Sequence, residues 1–390
     1  MNFLVGTFRS PEIYTLEFQP PSTLTVAANS PAVGGHSWLA LSKDHKKLYT
    51  TCWTNPPSIA AYRIDTSPDS APTVTHLNTK PVKSLSGYVA CTSTHLYSVG
   101  GPTGEVFLLN PDDGSIGDLV QELSFRKPNE LKDGAQGEDV HGNFGGLRHG
   151  SHSVDISPDG RSLYIADIGH NCIWTYTINL SSSSSSSSST GSEQQQEVLT
   201  LRQKLISPRT NDGPRHTWPH PNGRVLYSLQ EHSSMVDAFS IASDGVTLKH
   251  LHGIKIIPAD KDPKNYWADE VRLSLTSGDK PKYMYASTRG LQADTKGYVA
   301  VCRLDEEGLI VGDGALDIYE TETSGGLANA VEPAPPGGPD AEVEYMALTD
   351  SQEGFVFVLG FDGRAVREVA RVKLEGEGGK VVQAATAVWL

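Results

Sequence analysis

Four side chains in this sequence are of the types that acid–base chemistry on an anionic substrate requires: His152, Arg215, Glu231 and Arg289. Two guanidiniums can hold carboxylates through paired, charge-assisted hydrogen bonds and can stabilise enolate-like charge as it builds. A histidine or a glutamate can move the proton that such a reaction needs. A glutamate beside arginines is expected to stay ionised unless desolvation outweighs them, which makes His152 the better acid. His36, Asp167, Asn329 and Asp350 are further candidates, as substrate-binding groups around the same opening. These positions are scattered along the chain, so a fold has to gather them.

The gathering element is a repeat. An apolar run, a Pro/Asp/Gly/Lys turn and a second short run ending in small or polar residues recur along the sequence. The clearest copies are His152–Asp167, Arg215–Glu231 and Glu270–Arg289; weaker ones are His36–Trp53, Ser86–Gly101 and Asn329–Asp350. The second run of each copy carries an aromatic residue or Met: Phe3, Tyr49, Tyr97, Tyr164, Tyr227, Tyr285 and Met346. Two more strand-like runs follow each hairpin. Four short strands per unit, frequent turn signals and no useful helical period describe a β-propeller blade. The 38 Gly and 24 Pro of the 390 residues fit so many turns.

The expectation is therefore an all-β chain, residues 1–390 forming one seven-bladed propeller of four-stranded blades. Asn2–Thr7 reads as a second strand without a first, and Ala385–Leu390 as a first strand without a second. Pairing them would close the ring and remove two exposed edges. First strands of a propeller line its channel. The start of each first strand then sits beside the end of each second strand, which places all the candidates at one mouth, together with Asp269 and Glu270.

Other functions are disfavoured. With 32 Lys and Arg against 46 Asp and Glu the net charge is −14, a poor balance for binding nucleic acid. The amino-terminal residues lack a signal-peptide pattern, and no apolar run is long enough to span a membrane, so a cytoplasmic protein is expected. Cys52, Cys91, Cys172 and Cys302 stand alone and read as free thiols in strands. His216 and His220 are four residues apart, but in a strand-and-turn context where that spacing does not make a metal site. There is no G-x-S-x-G elbow and no P-loop. No metal or other cofactor is expected, and a small molecule is the expected partner. Residues 181–197, mostly serine and glutamine, read as a disordered low-complexity loop between a third and a fourth strand, on the outer rim. The Gly-rich, charged stretch 126–148 leads into His152 and is a candidate lid.

Several stretches carry a family resemblance: Gly213-Pro-Arg-His216, His220-Pro-Asn-Gly-Arg-Val-Leu-Tyr227, Glu231, Tyr283–Arg289, Thr323–Val331, Ala347–Gly354 and Val369–Val372. The sequence resembles the lactonase family of seven-bladed propellers, which includes 6-phosphogluconolactonases and a fungal carboxymuconate-lactonizing enzyme. The resemblance spans the chain in blade order and thins between about residues 75 and 148. It implies a catalytic set of His152, Arg215, Glu231 and Arg289. It also implies a cycloisomerase-type cyclase that forms or opens a lactone or other ring in a small unsaturated, acidic metabolite. Three alternatives stand beside that reading: a pericyclase-type cyclase of secondary metabolism on the same fold, a lactone hydrolase, and a non-catalytic protein-interaction propeller.

Overall fold

In the computed structural model the described residues are 1–126, 150–179, 197–275, 278, 280–336 and 342–390. They form seven four-stranded antiparallel sheets, each a meander whose strands succeed one another from the channel outward. The innermost strands are Ala384–Trp389 in blade one, Leu39–Leu41 in blade two, Tyr88–Cys91 in blade three and Ser151–Ile156 in blade four. Pro214–Pro219, Tyr266–Leu273 and Val331–Pro333 are those of blades five, six and seven. Helix among the described residues amounts to two short 3-10 turns, Pro263–Asn265 and Glu377–Gly379.

The seven anchors all fall in second strands, and all are buried. Four tyrosines among them tie one blade to the next. The hydroxyls of Tyr49, Tyr164 and Tyr227 donate to the backbone carbonyls of Gly114, Gly245 and Gly308, each in the outer turn of the following blade. That of Tyr285 donates to Glu344 in blade seven, at 2.5 Å. A tyrosine suits this place because its ring fills the space between sheets while its hydroxyl satisfies a polar atom at the far side.

The ring closes as the sequence predicts. Asn2–Thr7 pairs with Ala384–Trp389, with Phe3 opposite Trp389 and Val5 opposite Ala387. The Phe3 and Trp389 rings meet at 4.4 Å, and the Trp389 indole N–H donates to the Glu332 carbonyl of blade seven at 3.0 Å. Blade three, where the family resemblance is thinnest, is as regular as the others. Residues 127–149, most of the candidate lid, and 181–196 of the Ser/Gln stretch lie outside the described residues. The strands flanking that stretch, Cys172–Ile178 and Leu199–Ile206, are the two outer strands of blade four. Cys52, Cys172 and Cys302 are buried free thiols, and Cys91 is half-buried.

Candidate active site

One residue inserted into each of several inner strands aims the site. In blade four Ser151 pairs with Asp167 and Ser153 with Ala166, which leaves His152 without a partner in the ladder. In blade five Pro214 pairs with Gln230 and His216 with Leu229, leaving Arg215. In blade six Ala268 pairs with Thr288 and Glu270 with Ser287, leaving Asp269. Blade one has its own irregularity at Ala385 and Thr386. A β-bulge turns the extra side chain out of the normal alternation. His152, Arg215, Asp269 and Thr386 all line one cavity of about 150 Å³ at the channel mouth. The equivalent positions in blades two, three and seven are the small residues Ser37, Gly87 and Ala330, also in the lining, which leave room.

Glu231 and Arg289 enter from the ends of the second strands of blades five and six, and Trp53 from blade two. Phe8 and Trp53, 5.2 Å apart, form an aromatic side. The loop Ser324–Ala328 covers another side. Gly325 and Gly326 take positive φ of 82° and 69°, and the Gly326 carbonyl accepts from Arg289 Nη1 at 3.1 Å.

The charges alternate. Arg215 Nη2 is 3.0 Å from Asp269 Oδ1 and its Nε is 3.7 Å from Glu231 Oε1. Arg289 Nη2 donates to Glu231 Oε1 at 3.2 Å, and its Nε is 3.7 Å from Asp269 Oδ1. Each carboxylate thus touches both guanidiniums, and all four side chains are nearly buried. Arg215 Nη1 also donates to the Asp269 carbonyl. The Arg289 guanidinium lies over the Trp267 ring, 4.9 Å from its centre. His152 is half-buried on the cavity wall, its ring 5.1 Å from that of His216.

Behind this layer the channel is plugged by charge. His216 Nδ1 is 2.8 Å from Glu270 Oε1, which also bonds Arg272 Nη1. Arg272 Nε donates to Glu332 Oε2 at 2.8 Å, and its guanidinium packs against Trp218 and Trp38 at 4.2 and 5.2 Å. Burial pushes Glu270 and Glu332 each up to about 7, against the pull of Arg272. Asp155 is pushed up to about 6 by burial, although it accepts from Thr217 and Tyr88 hydroxyls at 2.7 and 2.9 Å. His216 is held well below the usual histidine value by burial and by Arg215 and Arg272, so it stays neutral. Beyond the plug the channel opens into a second, larger cavity of about 580 Å³.

The structure brings His152, Arg215, Glu231 and Arg289 together. The other four candidates stand outside the cavity lining. His36 and Asn329 precede the lining residues Ser37 and Ala330 by one position, so the alternation of a strand turns them away. His36 is fully buried between Thr51 O and the Tyr62 hydroxyl, both at 2.6 Å, and burial lowers its pKa to about 4. Asn329 braces the site from behind, its main-chain N–H donating to Asp269 Oδ2 at 2.9 Å. Asp167 accepts from His170 and from the Trp174 indole, at 2.8 and 3.0 Å, within its own blade. Asp350 caps a turn, accepting from the N–H groups of Gln352 and Glu353 at 2.8 and 3.2 Å. Asp269 and Glu270, expected at the mouth from the head of the blade-six repeat, are in the lining, and so is His216, which sequence reasoning weighed only against a metal site.

The fold and the polar mouth define a seven-bladed propeller of the lactonase type. The family model "Lactonase, 7-bladed beta-propeller" matches residues 2–326, and the chain belongs to that family. Over 393 residues, covering 100% of this chain and 98% of the relative, it is 41% identical to muconate cycloisomerase 1 of Cutaneotrichosporon cutaneum. It is 31% identical over 238 residues to the carboxy-cis,cis-muconate cyclase of Neurospora crassa, 59% of this chain and 58% of that protein. Among solved structures, a periplasmic gluconolactonase of Pseudomonas aeruginosa matches with a TM-score of 0.73 at 19% identity, covering 99% and 98% of the two chains, a likeness of fold.

Proposed function

We propose that the protein is a lactonizing cycloisomerase acting on a muconate-type conjugated dicarboxylate. The observation that carries the reading is the facing pair Arg215 and Arg289 with His152 on the same small cavity, in a chain 41% identical to a muconate cycloisomerase along its whole length. In this reaction one carboxylate oxygen adds to the carbon β to the other carboxylate. The π electron pair moves into an enolate shared with that second carboxylate, and a proton added to the α carbon completes an isomer of the substrate. From the dicarboxylate dianion one proton is taken up and one carboxylate becomes the lactone, so the product is an isomer of the substrate's acid form, and no redox partner is consumed.

The residues divide the work by type. Arg215 and Arg289 hold the carboxylate on which charge builds. Glu231 and Asp269 keep the two guanidiniums in place, each bridging both. His152 delivers the proton. Phe8 and Trp53 supply an apolar wall for the diene. Lactone hydrolysis is the second reading, favoured by the paired carboxylates Glu231 and Asp269, one of which could activate water. Purified protein incubated with cis,cis-muconate, a carboxymuconate and sugar lactones separates the two. Loss of the diene's ultraviolet absorbance with formation of an isomeric lactone supports the proposal. Turnover of sugar lactones alone overturns it.

A further inference from the structure

We propose that the Thr386 hydroxyl binds the carboxylate that attacks the double bond, at the end of the cavity away from the two guanidiniums; the inference rests on the lactonizing reading above. Arg215 and Arg289 take the carboxylate on which charge builds, so the other carboxylate needs a donor elsewhere. Outside the charged layer and the histidines, the hydroxyls that the described lining offers are those of Ser37 and Thr386. The Trp53 indole N–H is committed to the Ser86 carbonyl at 3.1 Å. Thr386 stands in blade one, three blades round the ring from Arg215 in blade five, the widest separation that seven blades allow. Thr7 pairs with Ala384 and Val5 with Ala387, so Ala385 and Thr386 share a bulge opposite Gly6, and both reach the lining. The Thr349 hydroxyl donates to the Ala385 carbonyl at 2.8 Å and pins that bulge. Thr386 is 3% exposed, and no hydrogen bond among the described residues engages its hydroxyl. A buried hydroxyl without a partner costs free energy that a ligand oxygen recovers.

A hydroxyl suits the attacking group better than a guanidinium does. A guanidinium would hold both oxygens of the nucleophile before reaction, and that hold would weaken as their charge moves into the new C–O bond, so the barrier would rise. Thr386 donates one hydrogen bond to one oxygen and leaves the other free to attack. The displaced charge moves toward Arg215 and Arg289, where its stabilisation grows along the reaction. Thr386 keeps its proton throughout, and the proton that reaches the α carbon comes from His152. Ser37, in the adjoining blade two, has its hydroxyl 2.9 Å from Thr51 Oγ1, which also accepts the Trp38 N–H at 3.0 Å. Phe8 and Trp53 supply the apolar wall along which the diene lies between the two ends.

The probes are adipate, a saturated six-carbon dicarboxylate, and hexanoate, the same chain with one carboxylate, each titrated calorimetrically. The wild type is expected to bind adipate about tenfold or more tightly than hexanoate, as one further bond to a charged group is made. Thr386→Val keeps the shape and removes the hydroxyl. It should lose most of that preference and about tenfold or more in kcat/KM on cis,cis-muconate, whereas Thr386→Ser should keep both. Thr386→Ala, which only removes atoms, takes the place of Thr386→Val if that variant does not fold. Equal affinity of the wild type for the two acids, or no binding of either, would overturn the inference. So would a preference that survives in the folded Thr386→Val or Thr386→Ala protein, or a loss of affinity for both acids together, which marks a structural role. A hydroxyl-dependent preference for adipate in a wild type that leaves cis,cis-muconate unchanged would instead remove the lactonizing reading and leave Thr386 as a carboxylate-binding residue.

Discussion

Replacing Arg289 with lysine keeps the charge and removes the fork, and the structure allows the loss to be sized. The guanidinium donates to Glu231 at 3.2 Å and to the Gly326 carbonyl at 3.1 Å from separate nitrogens, and stacks on Trp267. An ammonium is a single point donor on a flexible stem and can keep one of those bonds at a time. One charge-assisted bond lost is worth about 1.5–3 kcal/mol, which is roughly 10- to 150-fold in kcat/KM if it is expressed in the transition state. The assay is the initial rate of diene disappearance at saturating and limiting dicarboxylate, with the melting temperature as control. Arg289→Lys is expected to fold and to fall by at least tenfold. Wild-type kinetics in a folded variant would refute the reasoning and take Arg289 out of the reacting site.

Three further outcomes follow from particular contacts. Trp389→Ala should cost about 3–5 kcal/mol of stability by urea unfolding, because Trp389 packs on Phe3 across the ring closure; an unchanged midpoint would contradict the closing role of that strand pair. Gly326→Ala should lower kcat/KM, because at φ 69° its Cβ would stand 2.6 Å from Ser351 Oγ and 2.9 Å from the Gln352 nitrogen, displacing the carbonyl that holds Arg289; unaltered rates would show that the loop does not support the site. His36 is lowered from 6.5 to about 4, so the unfolded chain takes up its proton first and the His36 contribution, complete above about pH 6.5, is lost as pH falls toward 4. The stability difference between wild type and His36→Phe should therefore shrink by about 3 kcal/mol between pH 7 and pH 4, and a difference independent of pH would contradict the assignment.

The propeller is legible in this sequence because its signals are local. Each second strand carries a large buried anchor, most of the hairpins a Gly- or Asp-containing turn, and the unmatched strands at Asn2 and Ala384 pair with one another. The site is legible in part. His152, Arg215, Glu231 and Arg289 fall in phase with the cavity, whereas His36 and Asn329 are one residue out of phase. Side-chain direction in a strand alternates, so a single inserted residue decides which group reaches the channel. The bulges at His152, Arg215 and Asp269 leave no mark in composition or spacing. His216 was hidden differently, because its contacts are made across blades. His216 of blade five meets Glu270 of blade six, and Arg272 reaches Glu332 of blade seven.

Addition of a carboxylate across a double bond with delivery of a proton to carbon leaves a direct record when the protein turns over cis,cis-muconate in deuterium oxide. Wild type, His152→Ala and Glu231→Gln would be followed side by side by NMR of the product. A positioned acid contributes typically about 10²–10⁴-fold. The wild type is expected to form a lactone carrying one solvent-derived deuterium on the carbon α to the free carboxylate, and the folded His152→Ala and Glu231→Gln proteins to lose most of that activity. Lactone without deuterium at that carbon, or both folded variants turning over at the wild-type rate, would contradict it.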